Sequence, residues 1–329
     1  MPTENPSSLP PPPLKPSQDD CCGHDCAVCV FDLYDQELRI WEKECEKLQK
    51  VSARDEFYAG KERSSSPQLE PDVYRVFLIV ATNFLTRDVT EFHVRSTIHS
   101  SQRLGIGLGQ HVVIRVTEIN EDSNNEPSVF SRQLTPYEAE EDDSSFKLMI
   151  KLKPGGRLSA AAQRWKIGDQ ICLRGPFGSL PYKRNQFDKI LMLSMGVGMA
   201  PLLSFVRKIL DDDEEDTEIF FHHGCRFYED ICHKDAFDRW TPFWNFHVAY
   251  YLSGESAECL TSKKRYGETV HSSRLDESKV EAICSTADGA KPFGDKDAAF
   301  IVGTPDFEST LAEVLRRTFE GQIFRFTNL

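Results

Sequence analysis

Three glycine-rich turns in a fixed order constrain this chain more than any other feature: Gly155-Gly156-Arg157-Leu158-Ser159, Gly196-Val197-Gly198-Met199-Ala200-Pro201 and Gly303-Thr304-Pro305. The first follows an apolar strand over 146–152; the second and third each lie between a buried-looking strand and an amphipathic helix. Such turns can present backbone N–H groups to phosphate, and glycine lets the phosphate approach because no side chain holds the backbone away. One such turn is also an ordinary strand-to-helix connection. Three in this order point to a chain that holds two nucleotides.

The rhythm of the chain changes around these turns. Residues 1–19, with an uninterrupted run from Pro10 to Pro13, read as a disordered or polyproline-like tail. Cys21, Cys22, Cys26 and Cys29 then form a cysteine knuckle leading into one helix that carries Leu33, Ile40, Trp41 and Leu48, the two together spanning 20–52. Residues 53–71 read as a linker. Over 72–184, short strands at 73–80, 89–94, 111–119, 146–152 and 170–173 predict a small antiparallel barrel, with the acidic stretches 118–126 and 138–143 as solvated loops. Over 185–329, strands at 189–195, 218–223, 246–252 and 298–302 alternate with helices at 201–210, 229–240 and 306–318, which predicts a doubly wound parallel sheet. Such sheets bind ligands at the carboxyl ends of their strands, where the second and third glycine turns fall.

Charge and composition exclude several classes. A net charge of −13 argues against non-specific nucleic-acid binding. Between 147 and 189, however, ten basic residues face two acids, a local +8 that suits an acidic protein partner, or else a solvated face neutralised by acids distant in sequence. No run approaches the roughly 20 apolar residues of a membrane span, so no transmembrane anchor is expected, and the start lacks a secretory signal. The expectation is a cytoplasmic protein whose ten cysteines are thiols. The knuckle spacing suits zinc or an iron–sulfur cluster as well as a packed or reactive thiol cluster. His222-His223, at a strand end, reads as one core or edge histidine and one exposed, and Trp240, Phe243, Trp244 and Phe246 as core or partner surface.

Taken in order and spacing, Arg132-Gln133-Leu134-Thr135-Pro136, Ile150-Lys151, the three glycine turns, Gly175-Pro176-Phe177-Gly178 and Glu229-Asp230-Ile231 resemble the ferredoxin-NADP reductase superfamily over about residues 73–326. Within it they are most similar to the NADH-cytochrome b5 reductase family, including members with an N-terminal oxidoreductase-like cysteine segment. The resemblance implies an antiparallel FAD-binding β-barrel followed by a nicotinamide-binding doubly wound domain. Hydride would pass from NADH to FAD, and single electrons onward to an acidic haem protein such as cytochrome b5, docked on the basic zone. It implies that Arg132, Gln133, Gly155, Gly156, Arg157, Leu158 and Ser159 hold the FAD phosphates. Thr135 would approach the flavin near N5 as the residue closest to the chemistry, bordered by Leu134, Ile150, Lys151 and Leu152. Gly196, Val197, Gly198, Pro201, Asp230 and Ser253 would receive the dinucleotide, and Gly303, Thr304, Pro305 and Phe326 would border nicotinamide and flavin.

The chain departs from the family pattern at telling places. Leu134 stands where the family has a flavin-stacking tyrosine, Val197 where it has a threonine, Met195 where it has a glycine and Val302 where it has a cysteine. These keep open the alternative of a non-catalytic scaffold whose working part is the cysteine segment. Ser253 replaces an acid that accepts the adenosine ribose 2′-OH, so NADPH stays open beside NADH. Lys263, Lys264 and Arg265 either reach a 2′-phosphate when their loop folds back or are solvated loop charges.

Overall fold

The structure is a computed structural model that describes residues 10–20, 29–52, 69–97, 104–119, 127–138, 144–178, 180–285 and 292–326. Six antiparallel strands form its first half: β1 (Arg75–Thr86), β2 (Val89–Ser96), β3 (His111–Ile119), β4 (Pro127–Leu134), β5 (Ser145–Lys151) and β6 (Gln170–Phe177), in the order β4-β3-β6-β1-β2-β5. The two edges meet just past β4, where Tyr137 and Lys147 exchange backbone hydrogen bonds of 3.0 and 2.9 Å. That exchange curls the sheet into a barrel around Phe77, Phe92, Ile114, Phe146, Leu148 and Leu173. Between Leu134 and Tyr137 the chain steps from one edge strand to the other, and there the barrel stays open.

The second half is a parallel sheet of β7 (Lys189–Met195), β8 (Glu218–Cys225), β9 (Phe246–Leu252), β10 (Thr269–His271), β11 (Ala298–Val302) and β12 (Gln322–Arg325), ordered β10-β9-β8-β7-β11-β12. Its central strands are apolar on both faces, as a parallel sheet covered by helices requires. Ile190 and Met192 of β7 pack with Leu202 and Phe205 of one helix (Ala200–Leu210), while Leu191 and Leu193 pack on the opposite face with Leu311 and Leu315 of another (Pro305–Thr318). In chain order the helices are α1 (Val30–Ser52), α2 (Arg157–Ala162), α3 (Ala200–Leu210), α4 (Lys234–Trp240), α5 (Ala257–Lys263), α6 (Glu277–Ile283) and α7 (Pro305–Thr318). Val89, Tyr137 and Met149 of the barrel belong to the same core as Met199, Cys232 and Phe237, so the two halves share apolar packing.

Four expectations need correction. The proline-rich start does not stay free over residues 10–20: Pro13 pairs with Val129 on the β4 edge, the Leu14 N–H donates to the Val129 carbonyl (2.8 Å), and Trp41 Nε1 donates to the Pro10 carbonyl (2.7 Å). Proline suits such an edge because the N–H it lacks would have faced outward. Leu69 is not linker; it is buried in the barrel core, and Glu70 beside it pairs with Arg75. The helix expected over 229–240 is broken, because His233 adopts a left-handed conformation (φ 52°) between a short 3-10 turn and α4. Of the acidic stretches, Glu118 lies in β3 bound to Arg157 (2.8 Å) and Glu138 binds Lys147 (2.7 Å), so neither is free in solvent.

Helix α1 is tied to the barrel by charge. Glu37 accepts from Arg174 (2.7 Å) and from the Tyr74 hydroxyl (2.7 Å), with the Arg174 side chain 1% and that of Glu37 4% exposed. Arg115 adds ion pairs to Glu37 (3.5 Å) and Glu44 (3.1 Å). Removing one member of a buried pair leaves the other charge uncompensated at a cost of about 3 kcal/mol or more. Glu37→Ala is expected to lower the free energy of urea unfolding by that amount; a loss under about 1 kcal/mol, the range of a surface pair, would contradict this account of how α1 is held.

Candidate functional site

A cleft of about 1080 Å³ runs between the open side of the barrel and the carboxyl ends of the parallel strands. Gln133, Leu134 and Thr135, where β4 ends, and Met149 and Lys151 of β5 line one wall. Gly196, Val197, Gly198 and Pro201 from the β7–α3 junction and Val302, Gly303 and Thr304 from the β11–α7 junction line the other. Phe326 closes the end beyond β12, its ring seated 3.1 Å from where a Cβ on Gly109 would stand. The two junctions touch backbone to backbone: a Cβ on Gly198 would lie 2.9 Å from the Val302 carbonyl oxygen and 3.2 Å from the Gly303 Cα. Glycine at 198 is therefore a packing requirement that brings the turns to one point. The Gly303 N–H is already taken by Glu308 Oε1 (3.1 Å), a buried carboxylate, so this turn sets the shape of the cleft and does not offer that N–H to phosphate.

Apart from Gln133, the residues expected at the flavin phosphates do not line this cleft. Arg132 and Arg157 line a second, small cleft of about 30 Å³ on the outer side of β4, facing Pro13, Asp20 and the Val30–Glu37 turns of α1. Arg132 donates to the Ser131 carbonyl (2.8 Å) and stands 3.9 Å from Asp20, while Arg157 is held by Glu118. Ser159 Oγ accepts from the Lys153 N–H (2.8 Å) and so shapes the Gly155–Gly156 turn. Ile150 points into the barrel core, and Leu152 and Leu158 pack against it. Pro305 opens α7 outside the cleft, with Thr304 as its cap.

Elsewhere in the cleft, Asp230 is engaged by the Phe227 N–H (3.2 Å) and by Arg87 of the barrel (3.1 Å), and Ser253 follows β9 with its N–H on the Cys225 carbonyl (3.1 Å). Lys263 is consumed by Glu255 (2.7 Å) and Glu229 (2.9 Å), and Arg265 by Asp238, so the loop basics expected to reach a phosphate are neutralised where they stand, Lys264 apart. Sequence reasoning missed Met149, Arg226 and Arg274, which line the cleft. Single loop arginines carry no pattern of their own, and Met149 reads simply as one more core residue of its strand.

Burial favours the neutral form of the cleft's two thiols and of His111. Cys225 and Cys232 line the cleft, and desolvation pushes both thiols up, Cys232 to about 12. His111, on the cleft wall, is lowered to about 4 by burial and by Arg174. His222 and His223 are also lowered to about 4; His223 is wholly buried with Nδ1 against Ser194 Oγ (2.8 Å), and His222 Nδ1 meets the Tyr251 hydroxyl (3.1 Å). Among the described residues no cluster of His, Cys, Asp and Glu has the makings of a metal site. Cys21, Cys22 and Cys26 lie outside the described residues.

A barrel opened toward the strand ends of a doubly wound sheet, with the glycine junctions between them, defines an FAD-dependent nicotinamide oxidoreductase of the ferredoxin-reductase type. Residues 77–182 match the oxidoreductase FAD-binding domain, 192–310 the oxidoreductase NAD-binding domain, and 7–50 the N-terminal part of oxidoreductase-like protein. The chain is 30% identical over 304 residues to the NADH-cytochrome b5 reductase-like protein of Homo sapiens, covering 92% of this chain and 90% of that one, and 30% identical over 310 residues to its Mus musculus counterpart at the same coverage. It belongs to the NADH-cytochrome b5 reductase-like family, whose matched domains carry FAD and NADH as cofactors. In fold it is similar to the cytochrome b5 reductase domain of Ulva prolifera nitrate reductase (TM-score 0.64, 19% identity, 79% of this chain and 100% of that one). A ferredoxin NADP+ reductase from Neisseria gonorrhoeae is similar too (TM-score 0.58, 18% identity, 77% and 97%).

Two outcomes test this geometry. For the three lowered histidines the unfolded chain binds protons from about pH 6.5 downward while the folded one resists until about 4. Their contribution is complete above 6.5 and lost as pH falls toward 4, so the urea midpoint is expected to drop between pH 7.5 and pH 5; a flat midpoint would argue against their burial. Gly198→Ala forces the two junctions apart at an overpacking cost of about 1–3 kcal/mol. It is expected to weaken nicotinamide-dinucleotide binding roughly tenfold, read by calorimetry, while bound flavin measured by absorbance is unchanged; equal loss of both would show that the junction does not act locally.

Proposed function

We propose that this protein passes hydride from a reduced nicotinamide dinucleotide to FAD and then single electrons to an acidic haem protein such as cytochrome b5. The observation that carries the reading is the single cleft bounded by Thr135 and Leu134 on one side and the Gly196–Pro201 and Gly303–Thr304 junctions on the other. The residues lining the cleft fit the two nucleotides: cations at Lys151 and Lys153, a backbone left open at Gly196, and apolar surface at Met149, Val302 and Phe326. FAD, when bound, turns a two-electron hydride donor into a source of single electrons, which no side chain supplies. The chain's residues bind, orient and exclude water. Arg132, on the outer side of β4, would hold the FAD phosphates there with its fork of donors. Thr135 and Leu134 would border the flavin ring, Leu134 by aliphatic contact in place of stacking. Phe326 and Val302 would keep water from the meeting point of the two rings. No proton has to move through a side chain, which agrees with the neutral thiols and with His111 held neutral beside them.

The acceptor reading rests on what remains of the basic zone. Five of its ten cations are paired with carboxylates: Lys147, Lys151, Arg157, Arg174 and Arg184. Lys153, Arg164, Lys166 and Lys183 are exposed, and Lys153 stands at the cleft. A reducing, cytoplasmic setting belongs to the same reading and is supported by Cys45, Cys172, Cys225, Cys232 and Cys284, which are free thiols.

The first experiment reconstitutes the protein with FAD under anaerobic conditions and adds NADH or NADPH while following the visible flavin bands. Bleaching is the expected result. Failure to retain flavin, or flavin that neither coenzyme reduces, would leave only the scaffold reading. Reduction of added cytochrome b5 is then expected to slow steeply as ionic strength rises, because the encounter is between opposite charges; a rate indifferent to salt would remove the acidic-partner assignment.

A further inference from the structure

The strap that runs from Pro10 along the β4 edge has an outer side that no part of the cleft uses. It begins with four consecutive prolines, Pro10 to Pro13, and Lys15 is followed by a fifth, Pro16. A proline ring fixes its own φ, and the residue before a proline is driven to extended or polyproline geometry. Between Pro10 and Pro16 only Leu14 is under neither restriction. A polyproline II helix has three residues per turn, so residues i and i+3 line up as a ridge along it.

Exposure follows that period. Pro10, Pro13 and Pro16 are half-buried and form the ridge that lies on the protein. Trp41 Nε1 donates to the Pro10 carbonyl (2.7 Å), Pro13 bridges to Val129, and Pro13 and Pro16 line the small cleft between β4 and α1. Pro12 and Lys15 form the second ridge, and both are exposed. On the third ridge Pro11 is half-buried, while Leu14, at the rim of the small cleft, leaves its side chain 49% exposed although its N–H is anchored on the Val129 carbonyl (2.8 Å).

One ridge anchored thus holds the other two outward on a preordered rod. Such a rod loses little conformational freedom on docking, which is why grooves lined by aromatic side chains take proline-rich segments. Lys15 adds a charge to the rod: it forms no ion pair among the described residues. Asp20, at the end of the strap, is taken by the Ser17 N–H and hydroxyl (both 2.9 Å) and stands beside Arg132. None of residues 10–20 lines the large cleft, so a domain seated on the rod leaves that cleft open.

We propose that Pro11, Pro12, Leu14 and Lys15 form a docking ridge for a partner protein domain that reads polyproline II helices through an aromatic-lined groove with an acidic rim. Pro11, Pro12 and Leu14 supply the apolar surface that the rings grip, and Lys15 meets the acid and sets the direction in which the rod is read. The partner takes the strap as it lies, with Pro10, Pro13 and Pro16 still on β4 and α1. Neither nucleotide takes part, so the assignment stands apart from the electron-transfer reading.

Calorimetric titration of the full-length protein with a panel of purified SH3 and WW domains, with acidic and with neutral groove rims, tests the ridge. The expected result is micromolar binding by acidic-rimmed members, weakened by salt and cut roughly tenfold or more by Lys15→Glu and by Pro12→Ala. Both side chains are exposed, and a thermal melt of each variant matching the parent excludes misfolding as the cause. No binding by any member, or binding that neither substitution weakens, overturns the ridge. Tighter binding to Trp41→Phe, which lacks the donor to the Pro10 carbonyl, overturns it too, because the partner would then be lifting the strap off the protein. Self-association of the protein alone that Leu14→Asp abolishes gives the ridge to a second copy of the chain and excludes the proposed partner.

Discussion

The phenol of Tyr137 fixes the two halves of the molecule to each other. Its backbone closes the barrel onto Lys147, its ring lies in the core shared with Phe237 and Cys232, and its hydroxyl meets Glu91 of β2 and, at 2.9 Å, His233 Nε2 at the head of α4. Burial and the adjacent Glu91 keep that phenol protonated, so it remains a donor to the carboxylate. His233 can reach it only because its left-handed conformation turns the chain between the 3-10 segment and α4. One residue thus sets the width of the cleft: the step from β4 through Thr135 to Tyr137 leaves the barrel open there, and the Tyr137–His233 contact sets the parallel sheet against that opening.

Charge is arranged by the same logic. An acidic chain neutralises half of its basic stretch internally, with partners that come from far away in sequence: Glu37 for Arg174, Glu118 for Arg157, Asp88 for Lys151. What survives unpaired is therefore informative in a way that the raw local +8 is not. Among the cations of the cleft, Lys151 is engaged, while Lys153, Arg226 and Arg274 are exposed at its rim.

The parts that were legible in the sequence are those whose signal is local. The strands over 246–252 and 298–302 appear at those bounds because a fully buried parallel strand is a short apolar run with no competing period. The glycine junctions were visible for the same reason. β12, the short β10 and the Pro10–Asp20 strap were not, since each is an edge whose pairing is decided by a partner and carries little alternation itself. The loop basics were misleading because composition shows Lys263 and Arg265 but not the acids that meet them. Arg226 and Arg274, far apart in sequence, come to line one cleft only through the strand order.

The N-terminal segment has to be judged by the charges it covers. Without α1, Arg174 would keep the Pro71 carbonyl (2.9 Å) and the Tyr74 hydroxyl (3.2 Å) but no counter-charge, and Arg115 would lose both its carboxylates. Two guanidinium groups in the wall of the barrel would then need water that the present packing excludes. The barrel's own sequence has therefore accommodated α1, and the segment is part of the fold, not an appendage to it. The same docking places Asp20 beside Arg132 and brings Val30, the first residue of α1, to the same small cleft. Asp20 and Val30 thus both stand at the face of β4 that carries Arg132, the cation proposed above for the FAD phosphates.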